Sequence, residues 1–298
     1  SIINYQLSII NYQLSIINYQ LSIINYQLSI INYQLSINLI VLRISQRHLK
    51  ILETCPRQFE HTYCDRLTLP MNPTQQSKTQ LGSDFHLLMH QRELGLPIEP
   101  ILARSPQLNT WMEAMLQTAP ELFQRDDRTW RESEHVRTLE INNYLFTAIY
   151  DLLILQPDRA DIIDWKTYPL PRYKKDLDLE WQTRLYLYIL AETSEYLPKQ
   201  IAFTYWFIQS TPQPKSVKIS YTLKQHRQTQ TDLLALLAKL TDWLDASVNR
   251  ELFPQVAAST GLCQYCNFAA RCHREHPDSP DARTFTSDDL YHIPMSPI

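Results

Sequence analysis

The chain has 298 residues, 44% of them hydrophobic and 20% charged, with a net charge of -3 and only three glycines. That balance suits a medium-sized folded domain with a real core, and the scarcity of Gly argues against a P-loop or dinucleotide-binding enzyme. No bulk positive charge draws nucleic acid, so any DNA-binding surface must be a local basic patch, and no apolar run is long enough for a membrane span.

The first 35 residues are five unchanged copies of SIINYQL, and a sixth copy decays into SINLIVL at residues 36–42. A heptapeptide invites a coiled coil, with Ile2 and Tyr5 of each unit on one seam and Ile3 and Leu7 on a second row. Paired Ile and Tyr also permit strands, and no charge sets a register. The unit can be written TCA ATT ATC AAT TAT CAA TTA, which is TCAATTA three times over. A seven-nucleotide repeat read through all frames therefore yields a seven-residue repeat. The expectation is translated repeat DNA, or a start codon placed too early, with residues 1–42 carrying no function. No basic region followed by an apolar stretch marks a signal peptide, so a cytoplasmic protein is expected. In that compartment the five cysteines point to metal or free thiols before disulfides.

"SQRHLKILETCPRQFEHTYCDR" reads as a helix, a break at Pro56 and a second helix. "KTQLGSDFHLLMHQRELG" is a further helix, followed by a polar, Pro-containing helical region to about Arg128. Then the period changes. "RESEHVRTLEINNYLFTAIYDLLIL" is rich in β-branched and aromatic residues and reads as a hairpin turning at "INN". "ADIIDWKT" is a short strand, "DLEWQTRLYLYILAETSEY" an amphipathic helix, and "QIAFTYWFIQ" and "KSVKISYTL" are strands. A long helix over "KQHRQTQTDLLALLAKLTDWLDASVN", the segment "GLCQYCNFAARC" and a Pro/Asp/Ser-rich tail complete the chain. The central order suggests a mixed α/β domain around one sheet.

Asp151 ends an apolar strand, and Asp164 and Lys166 flank Trp165 in "DWK". Alternation puts Asp164 and Lys166 on one face and Trp165 on the other. If "FTAIYD" pairs with "IIDWKT", Asp151 lies beside Asp164, and two carboxylates with an ammonium nearby suit Mg²⁺. Lys166 would then orient a water or offset charge on a phosphate. Alone, D-x-K reads as a solvated strand end. Gln182 and Tyr186, four apart, share a helix face, which reads equally as the face of a core helix. His86 sits among Phe85, Leu87 and Leu88, where a structural histidine is the ordinary reading. Glu132 and Glu134 could support the site, but a solvated strand face is the ordinary reading for both. Arg47, Lys50, Arg57 and Arg66 either contact phosphates or line a solvated helix.

Cys263, Cys266 and Cys272 form C-x2-C-x5-C, an incomplete tetrahedral set. Cys55 is the distant candidate for a fourth thiolate, joining the two ends of the domain as a staple, with Cys64 as the spare. Four cysteines hold either Zn²⁺ or a four-iron four-sulfur cluster, and spacing does not choose.

"LETCPRQFEHTY", "LGSDFHLLMH", "AIYDLLIL", "IIDWKT", "QTRLYLYIL" and "CQYCNFAARC", in this order, resemble the PD-(D/E)XK nuclease superfamily, and within it RecB/AddB-type nucleases with an iron–sulfur staple such as CRISPR adaptation exonucleases. The resemblance implies an α/β restriction-endonuclease-like core, a mixed central sheet flanked by helices, with N- and C-terminal segments joined by an iron–sulfur cluster. It implies a nuclease domain over residues 43–278, and the Pro/Asp/Ser-rich composition of 279–298 suggests a mobile tail. It implies Mg²⁺ or Mn²⁺ held by His86, Asp151, Asp164 and the carbonyl of Trp165. Lys166 would be the catalytic lysine, and Gln182 and Tyr186 would lie over the scissile phosphate or contact the DNA backbone. A 4Fe-4S cluster would sit on Cys55, Cys263, Cys266 and Cys272. The expected activity is single-strand-preferring DNA exonuclease in repair, recombination or defence, working with a helicase, repair or CRISPR protein partner. The alternatives are a non-cleaving iron–sulfur DNA-binding subunit and a nuclease acting on RNA. Ala148 stands where many relatives carry Gly, a methyl group that a β conformation accepts.

Overall fold

The computed structural model describes residues 13, 14, 17, 20–22, 24, 25, 27, 28, 42–67, 73–124, 126, 129–170 and 176–274. The expected tail at 279–298 and most of the repeat lie outside these residues. Those described between 13 and 28 are helical, and Leu14, Ile17, Leu21, Ile24 and Leu28 are each about half exposed. The chain divides into two compact units, Ser1–Arg43 with Glu140–Leu145, and Ile44–Leu139 with Phe146–Ile298. In the smaller unit, Asn142 and Asn143 both have positive φ, 50° and 65°. Asn tolerates that region, and the pair makes the tight hairpin turn expected at "INN".

The larger unit holds the expected elements. Helix α1 (Gln46–Thr54) ends where Pro56 opens α2 (Pro56–Phe59), which runs into a π-helical turn at Glu60–Cys64. Helix α3 (Pro73–Glu93) is followed by α4 (Glu99–Leu102) and α5 (Pro106–Thr118). After β1 (Leu42–Ile44), the strands are β2 (Trp130–Ile141), β3 (Tyr144–Leu155), β4 (Ala160–Lys166), β5 (Ile201–Phe207) and β6 (Lys215–Ser220). Helix α6 (Trp181–Glu192) crosses between β4 and β5, and α7 (Leu223–Val248) follows β6.

Strands β3, β4, β5 and β6 are neighbours in that order, with β2 paired to β3. The β3–β4 and β5–β6 pairs are antiparallel and β4–β5 is parallel, as a crossover through α6 requires. The sheet is mixed, as expected. Trp165 and Trp206, in register across β4 and β5, face a core of Phe85, Leu88, Met89 and Met112 from α3 and α5. On the other face the neighbouring pair, Asp164 and Tyr205, meets α6, where the Tyr205 hydroxyl bonds Thr183. Helix α6 packs in turn on α1 and α7. One sheet between two helical layers buries both faces of β5, whose seven residues are all buried.

The two ends of the larger unit meet through direct contacts. Arg57 donates to the carbonyl of Phe253 at 2.6 Å and pairs with the buried Glu60 at 3.1 Å. Its backbone N–H reaches Pro254, and the Phe59 and Phe253 rings lie parallel at 6.3 Å. Of the four basic residues read as phosphate contacts or a solvated helix face, Arg57 serves this junction instead, while Lys50 is exposed and pairs with Glu180 at 3.2 Å.

Candidate active site

The β3–β4 ladder runs from Leu155↔Ala160 to Leu152↔Ile163. One step further it would pair Asp151 with Asp164. Instead the Asp151 carboxylate accepts the Trp165 N–H at 2.7 Å. The strand breaks step here: Tyr150 bonds α6 at the carbonyl of Tyr186, while Leu152 joins the core under α3. In a regular strand residues two apart share a face, so the irregularity falls on Asp151 and leaves its carboxylate beside Asp164.

Helix α3 supplies the next group. Phe85, Leu88 and Met89 are buried and fix its rotation. The same helix then meets β2 at successive turns, His90 to Ser133 at 2.6 Å and Glu93 to Arg131 at 2.7 Å. One turn earlier His86 stands 3.4 Å from Asp151. Glu134 in β2 has φ 53°, uncommon for a residue with a Cβ, and marks a local re-aiming of the strand. Ligating atoms of His86, Glu134 and Asp151 all lie within 4.8 Å of one another.

Asp164 faces the other partners. It pairs with Lys166 at 2.8 Å and accepts a bond from Gln182, whose carbonyl oxygen in turn accepts from Lys166 at 2.8 Å. Asp164, Lys166 and Gln182 therefore form a closed triangle. Tyr186 is buried, packed edge-on to Tyr150 at 5.3 Å, with its hydroxyl bonded to the backbone of Ile149. The structure thus brings together His86, Asp151, Asp164, Lys166 and Gln182, and adds Glu134. It places Tyr186 in the core below them. In the sequence Glu134 stands with Glu132 as a possible support of the site and cannot be told from it, because no spacing rule reports a mid-strand change of backbone conformation.

Electrostatics divide the acids. Burial alone would raise both carboxyl groups; for Asp151 it is outweighed by His86, Lys166 and the Trp165 N–H, which hold it below the usual range. For Asp164 burial and the neighbouring Asp151 win over Lys166, so it is raised. Burial opposes the charge on His86, but Asp151 overrides it and lifts the imidazole to about 9. Glu134 is pushed up to about 7 by lost hydration and by Asp151. Burial also opposes the Lys166 ammonium, yet Asp164 keeps it charged well above neutral pH.

A model of the PD-(D/E)XK nuclease superfamily matches residues 43–273. The chain belongs to the PD-(D/E)XK nuclease superfamily. Membership makes it a nuclease by family, a hydrolase of phosphodiester bonds. No curated protein matches it. Among solved structures it is similar to a protein from Eubacterium rectale provisionally named an exonuclease, at 13% identity and TM-score 0.48, over 81% of this chain and 91% of that one. It is also similar to SSO0001, at 14% identity and TM-score 0.34, over 77% and 85%. Among the described residues no helix is long and apolar enough to cross a membrane.

The cysteines form a second locality. The Cys266 thiol is raised chiefly by burial and interacts with the charges of Cys55, Cys272 and Cys263, while Cys64 is exposed elsewhere. Among the described residues no three of the sulfurs fall within 4.8 Å of one another. His61, buried and bonded to Asp65 at 2.9 Å, places its Nε2 3.8 Å from the Cys272 sulfur.

Proposed function

We propose that the protein is a Mg²⁺- or Mn²⁺-dependent DNA nuclease, an exonuclease that favours single strands. The observation that carries this reading is the meeting of His86, Glu134 and Asp151 with the Asp164–Lys166–Gln182 triangle. One nitrogen and two carboxylate donors fit a hard divalent cation, with Mn²⁺ accepting the imidazole most readily. A bound ion would supply an activated water and neutralise phosphate charge.

The residues of the chain do the rest. His86 in its neutral form, Glu134 and Asp151 would hold the cation, with Asp164 beside them as a further carboxylate. Lys166, paired with Asp164 at 2.8 Å, presents an ammonium beside the site. It offsets negative charge that grows on the phosphate oxygens, where a fixed cation in a water-poor site is most effective. Gln182 orients both Asp164 and Lys166. Tyr186 supports the pair from beneath, its hydroxyl held by Ile149.

In this reading Cys55, Cys263, Cys266 and Cys272 hold a 4Fe-4S cluster at the junction of the two ends. Its support is the mutual electrostatic contact of these four thiols. The place is repair, recombination or defence, beside a helicase or CRISPR partner.

The test is cleavage of end-labelled single-stranded DNA, duplex DNA and RNA with Mg²⁺ or Mn²⁺, wild type against Lys166→Ala. Metal-dependent loss of single-stranded DNA, absent in the variant, is the expected result. Equal inertness with DNA still bound would assign a non-cleaving DNA-binding subunit; preference for RNA would reassign the substrate.

A further inference from the structure

Beside the metal-ligating residues lies a cavity of about 360 Å³, and Asp151 and Trp165 belong to its wall. Whatever fills it therefore sits next to the candidate metal-binding residues. The volume is at the small end of small-molecule sites, ~300–1,000 Å³, room for one base with its sugar and not for a stacked pair.

The lining is chosen for a flat, uncharged group. Met89, Leu96 and Phe123 give apolar walls, and the Arg92 guanidinium lies 4.9 Å from the centre of the Phe123 ring. Arginine planes and aromatic rings are the surfaces on which unstacked bases rest. At another wall Arg131 and Glu93 form a two-point pair, both bonds 2.7 Å, and Arg131 is further anchored on the carbonyls of Leu122 and Gln124. That pair is rigid and presents polar edges. The cavity sets two cations, Arg92 and Arg131, against three carboxylates, Glu93, Glu99 and Asp151, so it has no surplus positive charge for a phosphate. A neutral base suits it; a second phosphate does not.

We propose that this cavity takes the base and sugar of the nucleotide adjoining the scissile phosphate, turned out of the stack onto the Arg92–Phe123 platform. The inference rests on the nuclease reading and supplies its substrate class. A base lodged in a cavity cannot be paired, so the strand must be single at that position.

The test uses single-stranded oligonucleotides in which one abasic residue is stepped past the cleavage position. Cleavage is followed with wild type, Arg92→Ala and Phe123→Ala, and equilibrium binding with Lys166→Ala. One abasic position, adjoining the cut, should lower kcat/KM and affinity about tenfold. Positions further away should change them less than twofold. In Arg92→Ala and Phe123→Ala the abasic penalty should shrink toward nothing. A penalty spread evenly over all positions would overturn the proposal, and so would a localised penalty that both variants leave intact. If wild type cleaves nothing, the nuclease reading fails, and the binding series still decides the cavity: a localised loss supports it and a flat series overturns it.

Discussion

The Trp165 N–H donates to the Asp151 carboxylate at 2.7 Å, one residue beyond the last paired step of β3 and β4. A side chain has taken the place of a backbone carbonyl at the end of the ladder. That exchange satisfies the Trp165 donor, and it holds Asp151 beside His86 with one oxygen directed to each. Asp151→Asn keeps the shape but halves the acceptor capacity and removes the charge. Metal-dependent cleavage should fall by about 10²–10³-fold, the scale of losing one preorganised electrostatic group, with the far-ultraviolet circular dichroism unchanged.

Glu134 should matter to metal and not only to rate. In Glu134→Gln the thermal stabilisation given by Mn²⁺ should be much reduced, and the Mn²⁺ affinity read by electron paramagnetic resonance should drop at least tenfold. Glu132→Gln, on the same strand, is the control and should leave both intact.

The metal-free protein should lose stability as pH rises. His86 is raised from 6.5 to about 9, so its contribution is fully present below 6.5 and is lost as pH climbs through 9. Glu134, raised from 4.5 to about 7, has the same sign: its protonated form is favoured by folding, and that advantage is lost between 4.5 and 7. A falling Tm from pH 5 to 9 without metal is expected, with Mn²⁺ restoring more of it at the alkaline end. A profile in His86→Gln that is flat above pH 7 would identify the upper part of the fall.

Arg57 and Glu60 tie α2 to the segment at Phe253. Arg57→Ala leaves the Glu60 carboxylate buried without its cation and should cost about 3 kcal/mol in urea unfolding. Cys55→Ser should abolish bound iron, whereas Cys64→Ser, whose thiol is raised to about 11 by burial and by Glu60 and Asp65, should retain it. A colourless protein containing stoichiometric zinc would refute the cluster.

Removing residues 1–42 should leave cleavage and the Tm of the remaining chain within error. A large loss of either would show that the SIINYQL repeat contributes to folding or activity.

The sequence by itself determined the order and kind of the elements, because these follow from local periodicity. Alternation in "IIDWK" put Asp164 and Lys166 on one face, Asn142 and Asn143 announced the hairpin turn, and Pro56 marked the break between two helices. It also supplied most of the site, since Asp151, Asp164 and Lys166 lie on neighbouring strands whose pairing could be guessed. Only the tertiary structure decided what depends on irregular backbone and on distant partners. Glu134 reaches His86 through a positive-φ residue within β2, and Asp151 leaves the regular pleat, events with no periodic signature. Arg57 reads as a phosphate contact or a solvated helix face until Phe253 and Glu60 are seen to hold it. The Arg92–Phe123 platform joins a helix to a later turn 31 residues on, a closeness that exists only once α3 has docked on β2.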